Sequence, residues 1–419
     1  MTPDVKDRIE QIRRGNVPEG YKRTRKGVIP NEWSVQQIRD FAQISSGSTP
    51  NRGNSAYWNG DVPWVTTGEL EGGYIEKTSE CITTQALSET SLRLYPVGTL
   101  LMAMYGQGKT RGTVAKLGIE ATVNQACAAI VLKLGDTEFF FYNLQNAYKD
   151  IRKLSNSGNQ ENLNADIIKT FPVVFPPVCE QQKIAEILTA QDKIIELKEK
   201  RLAEKQQQKK YLMQHLLTGK KRLAGFSDEW NSVAIGSIIH ELDEKTVCNN
   251  QYEILSVTKE GIVRQSEHFN KQIASEDNTG YKILRRGNLA FSTMNLWMGS
   301  LDVLEKYEIG IISPAYKVFE FNSKMMDSQF GKHFMRSEFM IWIYKSNSEQ
   351  GASVVRRNLD LKALLSTKIK IPTLTEQLAM VKVLNAVDKE LELLHQDIEQ
   401  EKQKKKALMQ LLLTGVVRV

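Results

Sequence analysis

The sequence is poor in cysteine and contains no long apolar run. Its four cysteines, Cys81, Cys127, Cys179 and Cys248, lie far apart without paired spacing in a chain of 419 residues. This pattern argues against a disulfide framework or a zinc site and predicts reduced, mostly buried thiols. No apolar stretch approaches the roughly 20 residues of a membrane-spanning helix. The N-terminal stretch MTPDVKDRIEQIRRG lacks the apolar block of a secretion signal, so we expect a cytoplasmic protein.

The composition excludes a disordered chain. Hydrophobic residues make up 41% and charged residues 25% of the sequence, which leaves enough apolar surface for packed cores. The length favours two domains or more. A formal net charge of +7 is typical of proteins with a polyanionic partner, although many basic proteins bind nothing acidic.

The chain contains two copies of one plan. The segment that begins at Glu180-Gln181 and ends in LMQHLLTGKKR aligns without gaps with the segment that begins at Glu376-Gln377 and ends in LMQLLLTGVVR. Weaker similarity further upstream pairs Trp33 with Trp230, and both tryptophans are expected to anchor cores. The sequence is therefore a tandem duplication, in which a variable globular unit is followed by a closely matched helix, twice.

Each repeated helix begins after a proline-marked boundary and ends at Thr-Gly, a typical helix stop. A straight helix from Glu180 to Thr218 would be about 58 Å long at roughly 1.5 Å per residue. Two such helices, each with one apolar stripe, can bury that stripe against each other in an antiparallel pair. The predicted pairing residues follow coiled-coil spacing and are Ile184, Leu188, Ile195, Leu202, Leu212, Leu216, Met380, Leu384, Val387, Leu391, Leu394, Ile398, Leu408 and Leu412. Charged seam positions predict a wetter middle, and these are Lys205, Lys209, Glu401 and Lys405.

The globular units contain short β-rich runs, TLLMAMY and AAIVLKL in the first and LAFSTMN and YKVFEF in the second. We predict an α+β fold with two pseudo-symmetric mixed α/β domains, separated by two long helices that pair as an antiparallel coiled coil. A short N-terminal helix is expected to dock near the end of the last helix. The predicted boundaries are 1–16 for the N-terminal helix, 17–178 and 220–374 for the globular domains, and 179–219 and 375–419 for the long helices.

One stretch, AMYGQGKT from Ala103 to Thr110, fits a relaxed phosphate-binding loop. Such a loop needs a helix directly after it, whereas Arg111-Gly112-Thr113-Val114 is poor helix material. The matching place in the second unit, AFSTMNLWMGSL, has no Gly-Lys-Thr. We therefore predict no catalytic residue and no metal site in this chain, and we interpret the loop as a contact surface.

The sequence resembles the specificity (S) subunit of type I restriction-modification systems over nearly its whole length. The resemblance rests on SSGSTPNRGNSAYWNGDVPWVTTGEL, on ATVNQACAAIV, on the tandem helices, and on LSVTKEGI with GIISPAYKVFEF. It implies that each globular domain is a target recognition domain for one half of a split double-stranded DNA sequence, and that the helices act as a ruler. It further implies that the chain is not an enzyme and carries no cofactor. Two methyltransferase subunits and two motor-nuclease subunits are the implied partners, and they would use S-adenosylmethionine, ATP and magnesium.

Loop position and side-chain chemistry give candidate DNA contacts, because amide, hydroxyl and basic groups suit base edges and phosphates. In the first unit these are Tyr105, Gln107, Lys109, Thr110, Arg111, Asn124 and Gln125. In the second unit they are Lys259, Arg264, Asn295 and Trp297. Arg356 and Arg357, in the loop before the second long helix, suit phosphates, although Gln160 and Glu161 occupy the matching place in the first unit.

Three other functions stay open on the sequence alone. One is the specificity subunit of another restriction-modification type that cuts on both sides of its site. A second is a P-loop ATPase, which nucleotide-binding calorimetry would detect. A third is a coiled-coil adaptor without a DNA role, against which stands the contrast between closely matched helices and dissimilar globular units.

Overall fold

The chain divides into two compact units. The first consists of Met1–Glu199 and Asp397–Val419, and the second of Lys200–Gln396. The division falls inside both long helices, so each helix contributes part of its length to each unit. The predicted boundaries at 178/179 and 374/375 therefore mark the starts of helices rather than the edges of compact units. The computed structural model describes residues 3–106, 108–154, 162–259, 261–268, 274–350 and 357–419.

The first unit is a mixed α/β body with several small sheets. Its strands are β1 Tyr21–Thr24, β2 Gly27–Pro30, β3 Ser34–Gln37, β4 Ala42–Ser46, β5 Trp58–Val65, β6 Tyr74–Ile75, β7 Glu80–Ile82, β8 Leu100–Ala103, β9 Val114–Leu117, β10 Thr122–Val123, β11 Cys127–Leu132 and β12 Pro172–Phe175. Its helices are α1 Pro3–Arg13, α2 Ile38–Phe41, α3 Thr84–Glu89, α4 Thr137–Asn146, α5 Tyr148–Lys153 and α6 Ala165–Thr170, with 3-10 turns at Ser55–Tyr57 and Thr67–Glu69.

The main sheet of this unit has the order β4-β11-β8-β9-β6. Alternate residues of β8 enter two different cores: Leu100 and Met102 pack with the phenylalanines of α4, whereas Leu101 and Ala103 pack with Val65. Successive side chains of a strand point to opposite faces, so a continuous apolar run such as TLLMAMY is the pattern of a strand buried on both sides. The strand predictions for both runs in this unit are confirmed.

The second unit repeats this plan with different detail. Its strands are β13 Asn231–Ala234, β14 Ile239–Leu242, β15 Leu255–Val257, β16 Ile262–Arg264, β17 Lys282–Arg285, β18 Leu289–Ser292, β19 Leu301–Val303, β20 Ile309–Ile312, β21 Tyr316–Phe321, β22 Ser348–Gln350, β23 Arg357–Leu359 and β24 Lys368–Ile371. Its helices are α8 Ile235–Ile238, α9 Gln265–His268, α10 Ser328–Met335, α11 Glu338–Ser346 and α12 Leu361–Ser366, with a 3-10 turn at Leu296–Met298. The main sheet has the order β14-β21-β18-β19, which confirms the strands predicted from LAFSTMN and YKVFEF.

The two long helices have equal length. Their bounds are Val178–Leu216 and Leu374–Leu412, and each contains 39 residues; in chain order with the helices above, the first is α7 and the second is α13. Three residues after each helix ends, a glycine adopts the left-handed region, Gly219 with φ +70° and Gly415 with φ +71°, as the Thr-Gly stop predicts. No helix in the part of the chain that the structure describes is long and apolar enough to cross a membrane.

The predicted docking of the N-terminal helix near the end of the last helix is confirmed. Arg8 Nη1 on α1 donates a hydrogen bond to the carbonyl oxygen of Val416 at 2.8 Å. Tyr21 then donates its hydroxyl to the carbonyl of Gly415 at 2.8 Å. The chain therefore ties its first residues to the tail of α13 within the first unit.

The helices pair in each unit, and they run in opposite directions. Residues early in α7 contact residues late in α13, and residues late in α7 contact residues early in α13. In the first unit Ile184 and Leu188 share a core with Leu412. In the second unit Leu216 shares a core with Met380 and Leu384. Nine of the fourteen predicted pairing residues are buried, and the five that are partly exposed are Leu202, Leu212, Val387, Leu391 and Leu408.

Charged seam positions form ion pairs between the helices. Lys405 contacts Asp192 at 2.6 Å, and the equivalent pair of the other unit joins Lys209 to Asp388. Lys198 contacts Glu401 at 2.8 Å and, with Gln191, lowers the pKa of Glu401 to about 2. Partly exposed ion pairs contribute little to stability, about 0–1 kcal/mol each. The Asp192–Lys405 contact recurs as Lys209–Asp388 in the other unit, and the predicted wetter middle is a zone of such pairs.

The cysteines correct one expectation. All four are free thiols, but Cys179 and Cys248 are exposed and Cys81 is partly exposed. Cys127 is buried, and burial raises the pKa of its thiol to about 12. The prediction of mostly buried thiols is wrong because Cys179 lies near the start of α7 on its solvent side, and Cys248 lies in the polar segment after β14.

The predicted tryptophan anchors each contact a buried glutamate. Trp33 is fully buried and donates Nε1 to Glu180 Oε2 at 2.9 Å, whereas Trp230 is partly buried and donates to Glu376 Oε2 at 3.2 Å. Each glutamate lies in the first turn of a long helix. The anchoring prediction is confirmed for Trp33, and Trp230 packs at the edge of its core.

A buried histidine predicts that the second unit loses stability in acid. His333 on α10 lies with Nε2 3.2 Å from Asn385 Oδ1 on α13. Burial lowers the pKa of His333, Lys209 and Lys332 lower it further, and the Asn385 contact and Asp388 oppose the shift. His333 therefore binds a proton more readily in the unfolded chain than in the folded chain. The free energy of unfolding falls as pH drops below the ordinary histidine pKa of about 6.5.

We expect His333→Gln to reduce this acid sensitivity. The amide can contact Asn385 but does not titrate, so the histidine's contribution to the pH dependence disappears. The measurement is the urea midpoint of both proteins at pH 7.5 and pH 5.5, where the wild type should lose more stability than the variant. An equal loss of stability in both proteins would show that His333 does not contribute to the acid sensitivity.

Candidate nucleic-acid interface

The first candidate surface is the loop between β8 and β9. Tyr105 and Lys109 are exposed on it and Thr110 is partly exposed. The amide of Gly112 donates to the carbonyl of Ala103 at 2.8 Å, which closes the loop as β9 begins. The chain thus turns after Thr110 and enters a strand, so the phosphate-binding reading fails for the reason predicted from the sequence: no helix follows.

A second loop of the first unit lies beside it. Asn124 and Gln125 join β10 to β11, and the amide of Met104 donates to the carbonyl of Ala126 at 2.8 Å. Asn124 Oδ1 accepts from the amide of Ala126 at 3.1 Å, which fixes its side chain. Gln125 is exposed, and its Oε1 accepts a hydrogen bond from the hydroxyl of Thr49. The structure therefore brings these predicted residues together with the β8–β9 loop.

Arg111 differs from the expectation. Its residue is only 7% exposed, so it is not the surface side chain that the sequence predicts. The next residue, Gly112, adopts a φ of +82° as the loop closes. Contact of Arg111 with DNA would require its side chain to leave this position.

In the second unit, Lys259 lies in the turn between β15 and β16, and Arg264 lies at the far end of β16, opposite Leu255. Lys259 is exposed between β15 and β16, and its carbonyl accepts from Arg336 Nη2 at 2.9 Å. The guanidinium of Arg264 lies 4.7 Å from the centre of the Tyr307 ring and pairs with Glu267 at 3.3 Å. Arg264 is thus held against an aromatic face, while Lys259 points its charge into solvent.

Three further predicted residues of the second unit meet at the loop between β18 and β19. The guanidinium of Arg357 lies 5.1 Å from the centre of the Trp297 ring, a cation–π distance. The amide of Arg357 donates to the carbonyl of Met294 at 3.3 Å, next to Asn295. The structure therefore joins Asn295, Trp297 and Arg357 into one surface.

Some predicted positions lie outside the described residues. They are Gln107 and Arg356, together with Gln160 and Glu161, which mark the first-unit place that corresponds to Arg356.

Sequence reasoning missed the side chains that support these loops. Tyr148 and Arg152 on α5 bind carbonyls of the β8–β9 loop. Arg336, just after α10, bridges Asp302 and the Lys259 carbonyl in the second unit. No local motif marks these residues, because their partners are 34 to 77 positions away.

The two units match one family model. The model, described as the type I restriction modification DNA specificity domain, matches residues 30–206 and again residues 228–402. The chain belongs to this family. Each copy of the specificity domain covers most of one globular unit and most of one long helix, which confirms both the resemblance and the duplicated α+β fold.

Relatives of this specificity subunit carry corresponding names. The MjaVIII specificity subunit of Methanocaldococcus jannaschii is 23% identical over 429 residues, which cover 96% of each chain. The MjaIX specificity subunit of the same organism is 33% identical over 186 residues, 43% of this chain and 42% of that protein. The chain thus aligns with one relative over nearly its whole length and with the other over less than half.

Solved structures share the fold of this specificity subunit. The S subunit from M. genitalium has a TM-score of 0.52 at 14% identity and covers 91% of this chain and 96% of its own. The HsdS subunit from Thermoanaerobacter tengcongensis has a TM-score of 0.51 at 14% identity, with 93% and 98% covered.

Proposed function

We propose that this specificity subunit reads a two-part target in double-stranded DNA, with one half-site bound by each globular unit, and scaffolds methyltransferase subunits. The observation that carries the proposal is the contrast between a repeated framework and unlike surfaces. The framework includes the ion pairs Asp192–Lys405 and Asp388–Lys209, which occur at equivalent places. Unlike surfaces on like frameworks are what two different half-sites require.

The candidate surfaces differ in their chemistry. The first unit offers exposed Lys109, Thr110 and Gln125, which are polar groups suited to base edges and phosphates. The second unit offers Arg357, whose guanidinium lies 5.1 Å from the centre of the Trp297 ring, and an exposed Lys259. The two units would therefore select different bases even though both are built on equivalent strands.

The long helices supply the proposed spacing. Half-sites read by one protein on one face of DNA lie about 34 to 36 Å apart, or multiples of that distance. Helices of 39 residues would hold the readers at a fixed separation. Methyltransferase partners would use S-adenosylmethionine to modify an adenine flipped out of the duplex, and motor-nuclease partners would use ATP and magnesium.

The test is a map of methylated adenines in DNA from cells that express this chain with its methyltransferase subunit. The expected motif is split, with two specified parts, a spacer of constant length and methylation on both strands. Exchange of residues 17–178 for the equivalent part of another specificity subunit should change one half of the motif and leave the other. A contiguous motif, or a motif that the exchange does not alter, contradicts the proposal.

A further inference from the structure

Two side chains on α5 hold the backbone of the β8–β9 loop. The hydroxyl of Tyr148 donates to the carbonyl of Lys109 at 2.7 Å. Arg152 Nη1 donates to the carbonyl of Arg111 at 2.9 Å and lies 3.1 Å from the Tyr148 hydroxyl. The two carbonyls flank Thr110, so the contacts fix the loop on both sides of that residue. We name Tyr148 and Arg152 the α5 latch.

The β8–β9 loop is rich in glycine, so its backbone would be conformationally free without the latch. Three glycines within it adopt positive φ angles, Gly106 at +133°, Gly108 at +64° and Gly112 at +82°. Glycine loses more conformational freedom on ordering than any other residue. A free loop of this composition would therefore have to order when it binds a ligand, and binding would weaken accordingly.

The latch fits the loop closely. A Cβ at Gly112 would lie 3.2 Å from Cγ of Arg152, so the glycine lets the arginine stem pass beside the loop. The hydroxyl of Thr113 also donates to the Lys109 carbonyl, at 3.0 Å. Since that carbonyl is bound by two hydroxyl groups, the peptide after Lys109 has a fixed direction while the Lys109 side chain stays exposed.

The second unit carries other side chains at the two positions that match the latch. Its helix α11 starts with Glu338 and has Trp342 four residues later, where α5 starts with Tyr148 and has Arg152. Trp342 is 65% exposed. Arg336 instead holds the other turn of that unit through the Lys259 carbonyl. The α5 latch is therefore a property of the first unit, which allows each half-site to act as a control for the other.

We infer that Tyr148 and Arg152 are positioning residues for recognition of the first half-site. They act through the backbone that presents Lys109 and Thr110 and contact no base themselves. This inference rests on the proposed function. A base contact depends on placement of the donor within a fraction of an ångström, so loss of the latch relaxes the choice of base more than it weakens attachment to DNA.

The test uses Arg152→Met and Tyr148→Phe in the full chain with its methyltransferase subunit. Lys153→Met is the matched control, because Lys153 is the next residue on α5 and its charge pairs with Asp150 at 3.7 Å. Arg152→Lys is the conservative variant, which keeps the charge and one donor. Methylation of a DNA library randomised in one half-site at a time measures base preference, and thermal unfolding measures stability.

Loss of one charge-assisted hydrogen bond corresponds to about tenfold or more in an equilibrium. We expect Arg152→Met to reduce base preference in the first half-site by about tenfold, with the second half-site and the unfolding temperature unchanged. Tyr148→Phe should do the same to a smaller extent, Arg152→Lys should recover part of the preference, and Lys153→Met should match the wild type.

Two results contradict the positioning role of the α5 latch. One is an Arg152→Met variant that behaves like Lys153→Met, and the other is an equal loss in both half-sites, which indicates a structural role. A wild-type complex that yields no two-part motif overturns the proposed function itself. A two-part wild-type motif that the latch variants leave intact overturns the latch alone.

Discussion

Arg222→Met is expected to lower the free energy of unfolding of the second unit by about 3 kcal/mol, because it leaves a buried carboxylate without its charged partner. The partner of Arg222 is Glu376, which is 1% exposed. Arg222 donates Nε at 2.6 Å and Nη2 at 2.7 Å to the two carboxylate oxygens, and Trp230 donates at 3.2 Å. Without the arginine, the buried carboxylate loses this charged partner and keeps the neutral Trp230 donor.

The measurement is urea denaturation of the full chain. Arg201→Met is the control, because Arg201 forms an exposed pair with Glu390 at 3.3 Å and such pairs contribute about 0–1 kcal/mol. The double variant Arg222→Met with Glu376→Met should recover most of the loss, since it removes the charge as well as its partner. If Arg222→Met is as mild as Arg201→Met, the buried pair does not stabilise this unit.

The same cluster exists in the first unit. Arg418 donates to Glu180 at 2.6 and 2.9 Å, and Trp33 donates to the same carboxylate. In each unit the arginine follows the terminal glycine of one long helix by three residues, and the glutamate lies in the first turn of the other. The cluster therefore joins the end of one helix to the start of the other and to a strand-flanking tryptophan.

Much of this architecture could be predicted because its signals are local or repeated. Proline before each helix and Thr-Gly after it place the helix ends within a few residues. The seam spacing predicts which apolar residues meet, and the duplication predicts that the meeting occurs twice. Strands such as β8 and β18 could be recognised because a run of apolar residues bounded by Gly, Asn or Ser suits a doubly buried strand.

Contacts between distant residues could not be predicted. Glu180 lies in the first turn of a long helix, where a carboxylate is ordinarily solvated, and its partner Arg418 is 238 residues away. Arg111 has the chemistry of a DNA contact, but the folded chain buries it. The latch residue Arg152 lies 41 residues from the carbonyl that it binds. In each case tertiary packing sets the role of a side chain that looks ordinary in sequence.

Gly415→Ala is expected to destabilise the first unit by about 2–4 kcal/mol, and Gly219→Ala the second unit by about 1–2 kcal/mol. Both glycines end a long helix in the left-handed region, at φ +71° and +70°, so both variants bear the same backbone strain. A Cβ at Gly415 would also lie 2.5 Å from Cδ of Pro30 and 3.0 Å from the Trp33 ring, whereas a Cβ at Gly219 would lie 3.4 Å from the Trp230 ring.

The difference between these two variants isolates packing from backbone strain. The Pro30 ring is rigid and the Trp33 side chain is fully buried, so neither can move aside without opening the core of the first unit. Trp230 lies at an edge and can shift by a few tenths of an ångström. Urea denaturation of both variants beside the wild type measures the two losses in stability. Equal losses would mean that the segment after α13 can lift away from Pro30, which contradicts its docking onto the first unit.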